Sequence, residues 1–209
     1  MIGIFGGTFD PIHKGHVQVI EEVLGKVPLD ELLILPNGLP PHKKRSIDEK
    51  VKLEMVELAL SHLGKLRIDS REILKSSPSY AYETLGELRT EYPDDNLIWI
   101  MGVDSFIKIE TWFEYGKFLE SINFIILERP GFKIDDESFA GKTYKNKKVA
   151  RLSESFMGVG KIFFLKINPI EITSTNIREL ISKNLDASKF LDPRIHKIIN
   201  SKGLYKKNS

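Results

Sequence analysis

Short apolar runs, two of them ended by glycine, alternating with stretches that carry apolar residues on one helical face, set the rhythm of the 209-residue chain. Met1 to Phe5 is apolar and stops at Gly6-Gly7; beyond Gly15, Val17, Ile20, Val23 and Leu24 fall on one side of a helix. Glu31 to Leu35 reads as a second strand. Ser46 and Glu49 have the spacing of a capping box and open a helix running to about Leu63. Leu66 to Ile68 is a third strand, and Tyr80 to Glu91 a third helix. Leu97 to Met101 and Ile122 to Leu127 are the unbroken apolar runs of strands buried on both faces, and Ile162 to Ile167 completes the set. Strands alternating with helices predict an α/β fold: a doubly wound, mostly parallel sheet covered on both faces. The pattern predicts a single domain over residues 1–209, with an irregular, exposed excursion at about 129–159.

Composition narrows the chemistry. With 41% hydrophobic and 29% charged residues the chain can build a proper core, which excludes a disordered or fibrous protein. Lysine and arginine total 31 against 29 acidic residues, a net charge of +2, too balanced for a nucleic-acid or membrane partner. Polyanion chemistry must therefore be local. The chain has no cysteine, so disulfides, thiolate metal sites and a cysteine nucleophile are excluded. It starts directly in an apolar strand and carries no run near the ~18 residues of a membrane span, which predicts a cytoplasmic protein. The cations Lys142, Lys145, Lys147, Lys148 and Arg151 read as a solvated stretch within the excursion.

Local chemistry concentrates at GGTFDPIHKGH, residues 6–16. Gly6 and Gly7 let the chain turn tightly after the first strand and let a ligand reach backbone N–H groups. His13 and His16, three apart at the start of a helix, fall on nearly one face beside the positive end of the helix dipole. The arrangement suits an anion; the plainer alternative is two surface histidines near a cap. Zinc is not indicated, since HKGH lacks the spacing and the glutamate of HExxH. The glycines at 3, 6 and 7 do not make the G-x-G-x-x-G of a dinucleotide oxidoreductase, and Gly141-Lys142-Thr143 is a chance echo of a Walker loop whose first glycine position holds Asp136. NGLPPHK, residues 37–43, follows the second strand and would bring Lys43 to the same edge of the sheet. GVDS, residues 102–105, follows the strand ending at Met101; Asp104 suits ribose hydroxyls there, or caps the next helix. Ser174, Thr175 and Arg178 in ITSTNIREL form either a second anion site at a helix start or an ordinary N-terminus. SYAYETL, residues 79–85, and Trp112-Phe113 could hold a flat ring, or could be core aromatics.

These residues resemble a known family. GGTFDPIHKGH is similar to the signature of the HxGH nucleotidylyltransferases, and TSTNIR to their second phosphate motif; PPHK, SYAYETL, GVDS with Trp112, and Gly203-Leu204-Tyr205 resemble the nicotinate-nucleotide adenylyltransferases of bacteria. The resemblance covers residues 1 to about 205. It implies a Rossmann-like nucleotidylyltransferase fold, and adenylyl transfer from ATP to nicotinate mononucleotide with Mg2+, giving deamido-NAD and pyrophosphate. It further implies that His13 and His16 are catalytic, and that Gly6, Gly7, Thr8, Phe9, Lys43, Gly102, Asp104, Ser174, Thr175 and Arg178 bind ATP and its phosphates. Thr84, Trp112 and Phe113 would form the nicotinate pocket; no residue is assigned to the metal. A sister enzyme taking nicotinamide mononucleotide or phosphopantetheine would keep the first and last motifs, and a nucleotide-binding module without catalysis would bind ATP and release no pyrophosphate. Oligomeric state stays open.

Overall fold

A computed structural model of the chain describes residues 1–38, 47–128, 131, 133–153, 158–168 and 170–206. Six strands form one sheet: β1 (Ile2–Gly7), β2 (Glu31–Pro36), β3 (Leu66–Ile68), β4 (Leu97–Gly102), β5 (Asn123–Glu128) and β6 (Ile162–Lys166). The order is β3-β2-β1-β4-β5-β6 and every pairing is parallel. The chain moves outward from β1 to β3, then returns to place β4 on the other side of β1. The strand order therefore reverses between β1 and β4, and a crevice opens there at the carboxyl ends of the strands.

Helices cover both faces, and the two-residue alternation of the strands decides which core each side chain joins. Phe5, Ile34, Ile98, Ile100, Ile125 and Leu127 point to the face covered by α1 (Lys14–Lys26), α2 (Glu49–Leu60), α7 (Ser174–Ser182) and α8 (Pro193–Ser201). Ile4, Leu33, Leu35, Trp99, Met101, Phe124 and Ile126 point to the other, under α3 (Ala81–Glu91), α4 (Val103–Phe106), α5 (Tyr115–Ser121) and α6 (Phe139–Lys147). Among the described residues no helix is long and apolar enough to cross a membrane.

Two details depart from the sequence pattern. The cap of α2 is Asp48, whose carboxylate accepts from the N–H groups of Lys50 and Val51; Ser46 lies outside the described residues, and the helix ends at Leu60 rather than near Leu63. The span 129–159 is not irregular throughout, because it contains α6. The polar, lysine-rich sequence of α6 hides a helix that buries only Ala140, Gly141 and Thr143. Gly141-Lys142-Thr143 lies inside it, so it forms no phosphate loop. The lysines there are paired at the surface: Lys142 with Glu137 (3.5 Å), Lys145 with Asp136 (3.1 Å) and Lys147 with Glu120 (2.6 Å).

Candidate active site

The loop between β1 and α1 begins where the glycine pair ends the strand. Phe9 takes a left-handed backbone (φ 46°) that a bulky residue adopts only when the surroundings hold it; its ring is 1% exposed. That ring meets His16 edge-on, with centroids 5.1 Å apart. Gly7 makes room for it, since a Cβ there would stand 2.7 Å from Phe9 Cζ.

The two histidines cap α1 themselves. His13 is the N-cap and its side chain accepts from the His16 N–H, while the His16 Nδ1 accepts from the His13 N–H, both at 3.3 Å. Their rings stack with centroids 3.7 Å apart and planes 24° from parallel. With Nδ1 of each ring accepting, the ring proton of a neutral imidazole sits on Nε2, on the far side of each ring. Gly15 lies against the His13 ring: a Cβ there would sit 3.1 Å from its Cε1 and Nδ1.

A cleft of about 620 Å³ opens at the strand-order reversal. Its walls include Gly6, Gly7, Thr8, Phe9 and His16 from the β1–α1 loop, Gly102 and Asp104 from the end of β4, and Trp112 and Phe113 from the segment after α4. His13 is 4% exposed and supports His16 from beneath. Gly102, with no side-chain cap, starts α4; Asp104 sits inside that helix, so it does not cap it. Trp112 stacks on Phe118 (6.0 Å, 22°), and Phe113 is 48% exposed beside Tyr80 (4.8 Å).

Ser174, Thr175 and Arg178 are placed at the start of α7, against the β1–α1 loop. Ser174 Oγ donates to the Pro11 carbonyl (3.0 Å), and Arg178 donates from Nη1 to the Asp10 carbonyl (2.6 Å) and from Nη2 to Thr175 Oγ1 (3.2 Å). Tyr205 Oη adds a bond to Asp10 Oδ1 (2.6 Å). Burial, together with the Asp10 carboxylate, pushes the Tyr205 phenol far above its usual range. The residues read as a second anion site thus also clamp the first loop.

Lys43 lies outside the described residues. Thr84 does not line the cleft: it is fully buried, its Oγ1 donates to Glu72 (2.7 Å), and its N–H closes the first turn of α3 on the Tyr80 carbonyl (3.0 Å). Ser79, Tyr80 and Ala81 line the cleft in its place. The Tyr80 N-cap makes no side-chain capping bond, and a helix leaves its first N–H groups without intrahelical partners, so the start of α3 presents backbone donors beside Trp112 and Phe113. Asn37 and Glu72 are further walls that the motifs did not single out as binding residues. Asn37 could have been found, since it opens the NGLPPHK cluster; Glu72 stands in a charged stretch with no motif around it.

Residues 4–180 match the family described as cytidylyltransferase-like. The chain belongs to that family. It is 36% identical over 207 residues to a Psychromonas ingrahamii protein named "Probable nicotinate-nucleotide adenylyltransferase", covering 98% of this chain and 97% of that one. It is 34% identical over 205 residues to a Clostridium tetani protein of the same name, covering 97% and 98%. Its full-length relatives therefore put it among the nicotinate-nucleotide adenylyltransferases. The fold matches that of the Plasmodium falciparum nicotinic acid mononucleotide adenylyltransferase complexed with NaAD, with a TM-score of 0.76 at 21% identity over 98% of this chain and 96% of that one.

Proposed function

We propose that this protein transfers the adenylyl group of ATP to the phosphate of nicotinate mononucleotide, releasing pyrophosphate and forming deamido-NAD in the cytoplasm. The observation that carries the proposal is the histidine-capped loop of β1 opening on the same cleft as Trp112 and the start of α3. One end offers donors for a polyphosphate and the other a ring surface with backbone N–H groups for a carboxylate.

The acceptor phosphate is already an anion at neutral pH, so no base is needed to activate it. Catalysis then consists of aligning two anions and stabilising charge at the α-phosphorus as it passes between them. His16, in the cleft wall, donates from Nε2 to the α-phosphate, and His13 fixes its ring by stacking and by the shared cap. Backbone N–H groups of the glycine turn and of the start of α7 contribute further donors, with Ser174, Thr175 and Arg178 in reach of the same loop. Gly102 and Asp104 receive the adenosine ribose. Trp112 stacks on the pyridine ring, and N–H groups near Ala81 and Phe113, rather than Thr84, take its carboxylate. Mg2+ arrives on the triphosphate as part of the substrate, where it offsets the charge of the phosphate oxygens.

The test is pyrophosphate release from ATP with nicotinate mononucleotide and Mg2+, with nicotinamide mononucleotide and phosphopantetheine in parallel. Turnover with the nicotinate compound is the expected result. Faster turnover with another acceptor, or ATP binding without pyrophosphate from any acceptor, overturns the proposal.

A further inference from the structure

We propose that Glu72 is a positioning residue for the acceptor half of the cleft, holding the Asn37 amide and the first turn of α3 in the arrangement that receives the mononucleotide. The inference rests on the proposed function. Glu72 lies in the turn between β3 and α3, lines the cleft, and is 3% exposed. Both carboxylate oxygens are engaged: Oε1 accepts from Thr84 Oγ1 (2.7 Å) and Oε2 from Asn37 Nδ2 (2.9 Å).

Each partner belongs to a different wall. Thr84 closes the first turn of α3, whose leading residues Tyr80 and Ala81 line the cleft together with Trp112. Asn37 follows β2; its N–H donates to the Gly7 carbonyl (2.8 Å) and its own carbonyl accepts from the buried Lys52 amine (2.6 Å). Gly38 packs so closely on the Glu72 carbonyl that any Cβ there would overlap it. One carboxylate thus joins the exit of β2, the turn after β3 and the start of α3.

A carboxylate is an acceptor only, so it fixes which way the Asn37 amide faces. Nδ2 is turned to Glu72, so Oδ1 is the end that can accept from a donor on the ligand; in a mononucleotide that donor is a ribose hydroxyl. Stability alone does not favour this choice. Burial pushes the Glu72 carboxyl above its ordinary value, opposed by the bonds from Thr84 and Asn37 and by the charge of Lys75, while Asp69 adds to the rise. The group carries a desolvation penalty in the wall of a binding cleft, which fits a placement made for the ligand.

Binding of nicotinate mononucleotide and of a non-hydrolysable ATP analogue is measured separately by calorimetry, with Tm alongside, on wild type, Glu72→Ala, Glu72→Gln and Thr84→Val. Glu72→Ala should weaken the mononucleotide by at least ~10-fold, the scale of a lost bond to a charged acceptor, and leave the ATP analogue within about 2-fold. Glu72→Gln should recover most of the loss, because its Oε1 can still accept from Asn37 while its amide donates to the Thr84 hydroxyl. Thr84→Val, which keeps the Asn37 bond, should lose roughly 3-fold on the same ligand alone, and serves if Glu72→Ala does not fold. Equal weakening of both ligands, no weakening, or failure of Glu72→Gln to rescue would overturn the assignment. Wild-type turnover is read first: if no pyridine mononucleotide is adenylylated the function itself fails, whereas turnover with unaffected variants removes only Glu72.

Discussion

Gly15 and Gly25 lie in the same helix, α1, and make a matched pair of perturbations. Replacing glycine by alanine inside a helix stabilises by roughly 0.5–1 kcal/mol, because the alanine chain has less freedom to lose. At Gly25 nothing stands within 4 Å of a built Cβ, so that gain should appear in full. For a chain of this size it is a rise in Tm of about 1–4 °C. At Gly15 the Cβ would stand 3.1 Å from two atoms of the His13 ring and 3.2 Å from Ile172 Cγ2, short of the 3.4–4 Å of ordinary contact, so the ring must move by a few tenths of an ångström. His13 stacks on His16 at 3.7 Å, and the displacement passes to the ring proposed above as the donor to the α-phosphate. A 1 Å misplacement costs about 100-fold in rate, so a few tenths should cost roughly 3- to 10-fold in kcat. Helix gain and crowding oppose each other, leaving the Tm of Gly15→Ala near wild type. The assay is steady-state pyrophosphate release with thermal melts on both variants. Unchanged kcat in Gly15→Ala would refute the coupling of that position to the histidine pair, and so would an equal fall in Gly25→Ala.

His16→Ala should lower kcat by roughly 100-fold or more with a smaller change in ATP binding, as for loss of one preorganised donor; near wild-type kcat in steady-state assays would remove it from the reaction. Trp112→Ala should weaken the nicotinate and nicotinamide mononucleotides alike and leave their kcat/KM ratio, at least ~10-fold in favour of the acid, largely intact, because stacking is common to both rings; a ratio that collapses would assign the choice of acid to the ring. Tyr205→Phe removes the bond to Asp10 (2.6 Å) and should raise the KM for ATP more than that for the acceptor, read from paired substrate titrations; a selective effect on the acceptor would contradict the loop-clamping role. Burial works against the charged form of Asp69, but its bonds to Arg71, the nearest at 2.8 Å, outweigh it and hold the carboxyl below its ordinary value. The stability it confers is therefore complete above about pH 4 and is lost as pH falls through the lower folded value, so Asp69→Asn should flatten the acid limb of urea midpoints measured from pH 6 to pH 3.

The parts of the fold legible in the sequence are those where local pattern and tertiary burial agree. Leu97 to Met101 and Ile122 to Leu127 are apolar at every position because helices cover both sides of the sheet, and β4 and β5 begin within one residue of these runs. The loop at residues 6–16 was legible because glycine, histidine and a helix start carry their chemistry in a short span. Helix α6 was obscured because it buries little and its lysines satisfy themselves against Glu137, Asp136 and Glu120. Thr84 and Ala81 sit three apart on one helix, and only the three-dimensional direction of α3 decides that Ala81 meets the cleft while Thr84 turns inward to Glu72. Glu72 itself depends on partners 35 and 12 residues away, a relation no local spacing announces.

The bonds that hold the Asp10–Pro11 turn come from residues 163, 168 and 195 positions further along the chain. A ribosome therefore makes the nucleotide loop almost first and its fastenings almost last. The central strand β1 can pair with β2 early, but it gains β4 only after some ninety residues, and the loop above it gains Ser174, Arg178 and Tyr205 later still. Contacts this distant in sequence form slowly, because closing long segments must precede the reward of contact. The finished form of this loop is thus a late event in folding. Proteolytic cleavage just ahead of α7 would release the turn while leaving the strand pairings of the sheet in place.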